Sequence, residues 1–342
     1  MTRSGPWRAL GAVASALLVA TIVSGVILWR YPSDTYLLLP DKPHSAADVV
    51  TVKGARPDSG EGGVYFLDVI ERKASVLEDT FHQIVEDGAD FAPASAVQPE
   101  GASDSQAHQV DLQEMATSQQ IAAAVALRAL GHKVDVSANG ALVLAVGTGE
   151  PAYGKLVPGD VIVAVDGHRV TTTDGARSLL RRHRPGETVS LGVRNHSGLR
   201  TVRIKTIADP QDRSIPIVGV LLEQAAHIKL PFPVTIDTGN IGGPSAGLAF
   251  ALEVMEKLGR DVDHGHRVAA TGEIGLDGSV GPIGGIRQKV AGANDAHVDV
   301  FLVPAGDNAR DARRHAGNVR VIPVHSFQQA LHVLATLPRK GD

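Results

Sequence analysis

The sequence places a serine where a nucleophile could be activated, within the stretch Gly242-Gly243-Pro244-Ser245-Ala246-Gly247. This stretch follows a predicted strand and opens a predicted helix, so the serine lies where unpaired helix N–H groups gather. Those donors and the positive end of the helix dipole can hold a developing oxyanion, and we expect the backbone N–H groups of Gly243 and Ser245 to do so. The same residues would also suit a plain turn and helix cap.

A serine hydroxyl needs a base, and the sequence offers Lys289 a short distance after Pro282-Ile283-Gly284-Gly285. Lys289 shares one face of the predicted helix with three apolar residues, Ile286, Val290 and Ala293. Burial on that face would lower the pKa of the lysine, and a neutral amine can accept the proton of Ser245. The alternative is a lysine at the edge of the stripe whose ammonium group reaches solvent.

A second interpretation takes the spacing Gly243-Pro244-Ser245-Ala246-Gly247 as a nucleophile elbow of the Gly-x-Ser-x-Gly type. An aspartate and a histidine would then complete a triad, with Asp263 and His315 as candidates. The proline before the serine argues against this interpretation, because the elbow is an uninterrupted turn from strand to helix.

Three short motifs occur in the order and spacing of the Lon peptidase domain: Gly243-Pro244-Ser245-Ala246-Gly247, Thr271-Gly272-Glu273-Ile274, and Pro282-Ile283-Gly284-Gly285 with its lysine. Residues 214–338 resemble that domain over their whole length. The resemblance implies that Ser245 and Lys289 form a catalytic dyad. It also implies that Thr271 orients Lys289 and that Glu273 lies near the site.

A β-rich module is predicted over residues 131–208, where short apolar runs alternate with turn signals such as Pro158-Gly159-Asp160 and Asp166-Gly167. Residues 151–167 resemble the core of PDZ domains. Such domains bind an extended peptide as an added strand at a sheet edge, so we expect polypeptide partners. The alternative is a module that only packs on its neighbour.

The elements that must position the candidate residues follow from hydrophobic periodicity. A strand is predicted at 64–70 and a helix at 110–130. After residue 209, strands and helices alternate, which predicts α/β packing in a chain that is α+β overall. The predicted strands are 217–222, 233–237, 267–270, 299–303 and 319–322, and the predicted helices are 245–258, 285–296, 307–316 and 325–336.

The N-terminal run Ala9–Trp29 is uncharged, apolar and long enough to span a bilayer, which takes about 20 helical residues. Arg3 and Arg8 precede it, and acidic residues predominate after Arg30. This bias predicts a single-pass anchor with the N-terminus inside and the rest of the chain outside the cytoplasm. A cleaved signal peptide is the alternative.

These predictions divide the chain into five parts: an anchor over 1–30, a tether over 31–60, a strand and helix region over 61–130, the PDZ-like module over 131–208 and a Lon-like peptidase domain over 209–342. The Pro, Asp, Ser and Gly content of residues 31–60 is the reason for the tether.

Several partners are not expected. The net charge is −4 without a long basic run, which argues against nucleic acid, and the absence of cysteines excludes disulfides and thiolate chemistry. Gly149–Leu156 fits part of a P-loop but has leucine where a Ser or Thr must bind magnesium, so no ATP is expected. No metal or other cofactor is expected either, because no ligand set of known spacing is complete among Asp261, Asp263, His264 and His266.

The order of anchor, PDZ-like module and Lon-like domain resembles the bacterial membrane-anchored, PDZ-containing Lon-like peptidases. It predicts an ATP-independent serine endopeptidase that acts on exported or membrane proteins, with the PDZ-like module as a candidate for presenting the substrate. One rival is a signal peptidase, in which the serine would lie close behind the anchor. The other is a catalytically silent adaptor, against which the retention of Ser245, Lys289, Thr271 and Glu273 argues. No sequence feature specifies an oligomeric state.

Overall fold

The structure is a computed structural model that describes residues 6–55, 62–85, 88–97, 104–195 and 198–340. The elements before the PDZ-like module are α1 (Pro6–Arg30), β1 (Pro32–Pro40), β2 (His44–Ser45), α2 (Ala46–Val49), β3 (Val50–Val52), β4 (Gly63–Phe66), β5 (Val69–Ser75), α3 (Val76–Thr80), β6 (Asp90–Pro93), α4 (Ala94–Val97) and α5 (Asp104–Ala129).

The next elements build the PDZ-like module: β7 (Asp135–Val146), β8 (Val161–Val165), β9 (His168–Arg169), α6 (Thr173–Leu180), β10 (Thr188–Asn195), β11 (Gly198–Lys205), β12 (Ile207–Ala208), β13 (Pro216–Ile217) and β14 (Val220–Lys229). Its main sheet has the strand order β11-β10-β8-β7-β14, with β9 paired to β8. A separate apolar core, which includes Ile162, Leu191 and Ile204, fills the module.

The remaining elements are β15 (Val234–Ile236), α7 (Gly247–Lys257), β16 (Arg267–Ala270), β17 (Glu273–Ile274), β18 (Val280–Gly281), α8 (Ile286–Asp295), β19 (Val300–Pro304), α9 (Asp307–His315), β20 (Arg320–Val324) and α10 (Phe327–Ala335). They alternate as the sequence predicts, and the four predicted helices correspond to α7, α8, α9 and α10.

The central sheet of the peptidase region has the order β2-β4-β16-β19-β20, and its strands from β4 to β20 are parallel. Every residue of β19 is buried, as expected of a strand covered on both faces. Val300 and Leu302 pack in the core with α7, whereas Phe301 and Val303 pack in the core with α8 and α9. The α/β prediction for this region is therefore confirmed.

Residues 32–52 are not the predicted tether. Strand β1 is the middle strand of a sheet with the order β5-β1-β6, and its Leu37 is fully buried. Strand β3 pairs with β15, far along the chain. The prediction is wrong here because it rested on turn-forming residues and gave too little weight to apolar positions that find distant partners. Residues 56–60 of the predicted tether lie outside the described residues.

The peptidase sheet draws strands from both sides of the PDZ-like module. Strands β2 and β4 precede the module and β16 follows it, while α5 packs against α7. The predicted strand at 217–222 is divided between the end of β13, which pairs with β12, and the start of β14, which pairs with β7 inside the PDZ-like sheet. Residues 135–229 are thus inserted between two parts of one sheet, which corrects the predicted start of the peptidase region at residue 209.

Helix α1 contacts α3 and β5 but buries none of its stretch Val13–Arg30. This stretch has a mean hydropathy of 1.9 and is long and apolar enough to cross a membrane. Arg3, used in the orientation prediction, lies outside the described residues.

Candidate active site

Ser245 lies in a 3₁₀ turn, Pro244–Ala246, that leads directly into α7. Gly243 precedes the turn with φ 82°, a conformation that favours glycine, and Pro244 occupies the first position of the turn, where its missing N–H costs nothing. The first nine residues of α7 are buried, so the helix is fixed in the core. The serine is therefore held at the N-terminal end of a rigid helix, as predicted.

Lys289 reaches Ser245 from α8. The helix begins after Gly285, whose left-handed φ of 64° turns the chain into its first residue, and Lys289 lies one turn later. The distance between Lys289 Nζ and Ser245 Oγ is 2.6 Å, and the lysine is only 3% exposed. The structure thus brings the two predicted residues within hydrogen-bonding distance.

Burial lowers the pKa of Lys289 to about 8, from 10.5 for a free lysine. The negative charges of Asp68 and Glu71 raise this pKa and so limit the decrease. A lysine with a pKa of about 8 is about one-tenth neutral at pH 7, which is enough for a general base.

Thr271 follows β16, is fully buried and touches both residues. Its hydroxyl donates a hydrogen bond to the Ser245 carbonyl at 3.1 Å, and its Oγ lies 3.4 Å from Lys289 Nζ. Because the hydroxyl proton is used for the carbonyl, the oxygen accepts from the amine. The Thr271 oxygen is therefore placed to accept a hydrogen bond from the amine in its charged and its neutral form, and the orienting role that the resemblance implies stays a prediction.

The Gly243 N–H is not free to hold an oxyanion in this structure. It donates to the backbone carbonyl of Asp111 in α5, at 2.8 Å. The prediction for Gly243 is wrong for this conformation, because it considered only the turn and not the helix that packs on it. Within the described part of the chain, the Ser245 N–H has no hydrogen-bond partner and remains available.

A cleft of about 620 Å³ opens over the serine and the lysine. Four titratable residues from the N-terminal region line it beside the predicted site: Asp68, Glu71, His108 and Asp111. Burial is the main cause that raises the pKa of each of the three carboxyl groups. No local motif marks these residues, and the one available signal is that Asp68 interrupts the otherwise apolar strand predicted at 64–70. Asp263 and His315, the candidates of the elbow interpretation, do not line this cleft.

Glu273 does not touch the dyad within the described residues. It lines a neighbouring cavity of about 370 Å³, together with Glu114 of α5 and Glu223 of β14. Burial and the nearby Glu223 raise its pKa. Pro244 lines both this cavity and the cleft, so the two spaces adjoin at the nucleophile turn.

A group of acidic side chains lies elsewhere on the peptidase region. Carboxylate oxygens of Glu256, Asp261 and Asp263 lie within 4.8 Å of one another, a spacing that a metal ion would allow. Glu256 accepts from the N–H groups of Val262 and Asp263, and Asp261 pairs with Arg339 at 2.8 Å. These contacts hold the loop after α7 in place, and they explain why the three carboxylates lie together.

A third cavity, of about 330 Å³, lies between α6 and the start of β14. Its lining includes Pro216–Leu222, Leu180 and two arginines, Arg177 and Arg181. Among the described residues β14 pairs only with β7, so its other edge offers free backbone groups.

Comparison with known families finds two matches. The model for the PDZ domain matches residues 128–206, and the model for the Lon protease (S16) C-terminal proteolytic domain matches residues 220–336. Strand β14 falls within the second match although it pairs in the PDZ sheet.

Among curated proteins, the chain is similar to Lon protease 2 of Bacillus subtilis, at 31% identity over 33% of this chain and 19% of that protein. It is also similar to the Lon protease of Desulforamulus reducens, at 40% identity over 29% of this chain and 12% of that protein. The chain spans about a fifth or less of the length of these relatives.

Among solved structures, the chain is similar to the PDZ domain of an SdrC-like protein of Listeria innocua, with 26% identity and a TM-score of 0.24. The match covers 25% of this chain and 97% of that one. A PDZ domain of an SdrC-like protein of Listeria monocytogenes matches with 25% identity and a TM-score of 0.23, over 25% of this chain and 87% of that one.

Proposed function

Because this chain joins a PDZ domain to a Lon-type (S16) proteolytic domain, we propose that it is a serine endopeptidase with Ser245 as nucleophile and Lys289 as general base. The observation that carries the proposal is the 2.6 Å separation of Lys289 Nζ and Ser245 Oγ at the base of a cleft. A solvated surface lysine stays protonated at pH 7, whereas burial lowers the pKa of Lys289 and favours its neutral form.

The reaction follows from the positions of these groups. The neutral Lys289 amine takes the hydroxyl proton as Ser245 Oγ attacks the peptide carbonyl, and it returns that proton to the leaving amine. The Ser245 N–H donates to the carbonyl oxygen as charge develops there. Water, activated by the same lysine, then hydrolyses the acyl-enzyme. Thr271 keeps the lone pair of the amine directed at the serine by accepting one of its N–H bonds.

We propose that the PDZ domain presents polypeptide substrates to this dyad. A peptide can add to the free edge of β14 beside α6, with its side chains in the 330 Å³ cavity. After β14 the chain passes through β15 and reaches the turn Pro244–Ala246, which carries Ser245. Glu223 on β14 and Pro244 line the same cavity. We propose residues 131–229 as the substrate-binding unit, with the peptidase unit built from the strands on either side.

Helix α1 supports a membrane-anchored enzyme whose catalytic part lies outside the cytoplasm and acts on exported or membrane proteins. Protease digestion of intact cells tests this orientation, and complete protection of residues 31–342 would contradict it. We propose that hydrolysis needs no ATP, as the resemblance to the membrane-anchored, PDZ-containing Lon-like peptidases implies.

The proposed activity is tested by incubating the full chain in detergent with unfolded protein substrates, without nucleotide. We expect cleavage by the native chain and none by Ser245→Ala. Binding of the substrates without cleavage by either protein would favour the rival function, a silent adaptor.

A further inference from the structure

Ser118 holds the peptide group that precedes the nucleophile. This serine lies on α5, is 3% exposed, and donates its hydroxyl proton to the Pro244 carbonyl at 3.0 Å. The same carbonyl accepts from the Gly247 N–H inside the turn. The approach depends on Gly247, because a Cβ at that position would lie 2.7 Å from Ser118 Oγ.

The Pro244 carbonyl and the Ser245 N–H belong to one peptide group. The group is trans, as are all the peptide bonds that the structure describes, so its C=O and N–H point in opposite directions in one plane. A bond that fixes the direction of the carbonyl therefore fixes the direction of the N–H. Since Ser118 holds the carbonyl towards α5, the Ser245 N–H points away from α5.

This direction matters because the other expected oxyanion donor is engaged. The Gly243 N–H donates to Asp111 O, also in α5, so the helix fixes two nearby peptide groups, Gly242–Gly243 and Pro244–Ser245, in opposite senses. Helix α5 accepts a hydrogen bond from the N–H of the first group through Asp111 O, and it donates one to the carbonyl of the second group through Ser118 Oγ. Only the second presents an N–H that is free to meet a substrate oxygen.

We propose that Ser118 is a positioning residue for catalysis, which orients the Ser245 N–H as an oxyanion donor through the Pro244 carbonyl. The proposal rests on the proposed peptidase function and adds a fourth side chain to Ser245, Lys289 and Thr271. Thr271 and the Gly272 N–H hold the carbonyl on the other side of Ser245, so both peptide groups of the nucleophile are fixed by neighbouring elements.

The test is Ser118→Ala in the full chain, with turnover of a peptide and affinity for a peptide boronate measured together. A boronate bonded to Ser245 is a tetrahedral anion that imitates the tetrahedral intermediate. The matching peptide product forms no such adduct, so its affinity reports binding in the cleft alone. Removing one oxyanion donor costs about 10²–10³ in kcat, so we expect a misdirected one to cost about 10–100-fold. The boronate affinity should fall by a similar factor, with KM and product affinity nearly unchanged.

Ser118→Thr restores the hydroxyl and has room for its methyl group, since Ser118 lines the 370 Å³ cavity; it should recover most of the activity. Ser118→Cys keeps the size of the side chain, but its S–H group is a weak hydrogen-bond donor. Its kcat and boronate affinity should therefore resemble those of Ser118→Ala, and it replaces that variant in the test if Ser118→Ala does not fold. Thr117→Ala is the matched control, because Thr117 Oγ donates only to Gln113 O of its own helix.

Wild-type kcat and boronate affinity in Ser118→Ala, or in Ser118→Cys if the alanine variant does not fold, would overturn the proposal. So would equal losses of boronate and product affinity, which would indicate general distortion of the cleft. Absence of Ser245-dependent cleavage in the native chain would instead contradict the proposed peptidase function.

Discussion

Lys289 Nζ lies 2.6 Å from Ser245 Oγ, although Ser245 lies in the 3₁₀ turn before α7 and Lys289 lies in the first turn of α8. A glycine with positive φ precedes each of these segments, Gly243 before the 3₁₀ turn and Gly285 before α8. The fully buried Thr271 at the end of β16 contacts both residues. The geometry of the dyad is therefore set by the core of the sheet and not by exposed loops.

Asp68→Asn should move the acidic limb of the kcat/KM profile to lower pH. The negative charge of Asp68 raises the pKa of Lys289, so its removal lets burial lower that pKa further. Activity measured from pH 5 to 10 checks this shift. Asp174→Asn, on the exposed start of α6, is the control and should leave the limb in place; a limb displaced to higher pH in Asp68→Asn would contradict the electrostatic account.

Thr271→Val should lower kcat by at least about tenfold, because the amine loses the acceptor that directs its lone pair. The acidic limb should move less than in Asp68→Asn, since Thr271 accepts from the charged and the neutral amine alike. Thr271→Ser keeps the hydroxyl and should restore turnover. A native kcat in Thr271→Val would show that the Lys289 amine does not need the Thr271 hydroxyl as a hydrogen-bond acceptor.

Lys289→Met should stabilise the fold at pH 7 while abolishing activity. The folded pKa of Lys289, about 8, lies below its unfolded value of 10.5, so the unfolded state binds more protons between these two values. The native chain thus gains stability as pH rises through this window, and below it carries the full cost of a buried charge. We expect Lys289→Met to be more stable by up to about 3 kcal/mol at pH 7, because each pKa unit between these two values corresponds to about 1.36 kcal/mol.

Denaturant unfolding of both proteins at pH 7 and pH 10 measures this difference. The difference should shrink at the higher pH, where the native amine is neutral. An equal or larger difference at pH 10 would mean that packing, not charge, separates the two proteins.

Arg181→Glu should raise the KM for protein substrates while leaving the cleavage of short peptides unchanged. Arg181 lines the cavity between α6 and β14, where a carboxylate of an added peptide would meet it. We expect an increase of at least about threefold, within the range of a single exposed charge. Arg182→Glu is the matched control, because Arg182 does not line that cavity. Equal effects on short peptides and proteins would argue against presentation by the PDZ domain.

The sequence predicts the dyad and its helices because local signals coincide there. The glycines, the proline and the apolar stripe that carries Lys289 all lie within a few residues of the elements they define. Strands β1 and β3 escape prediction because their pairing partners lie far along the chain. Asp68, Asp111 and Ser118 escape for the same reason, since only the folded sheet and α5 bring them to the nucleophile turn.

The rate at which a fluorophosphonate probe phosphonylates the full chain, with loss of fluoride, tests the Ser-Lys assignment most directly when it is followed by mass spectrometry. We expect a single modified residue, Ser245, and a rate that falls by at least about 10²-fold in Lys289→Arg, because a guanidinium group stays protonated and cannot act as the base. Modification of a different residue, or a Lys289→Arg protein that reacts at the native rate, would contradict the assignment of Lys289 as the base for Ser245.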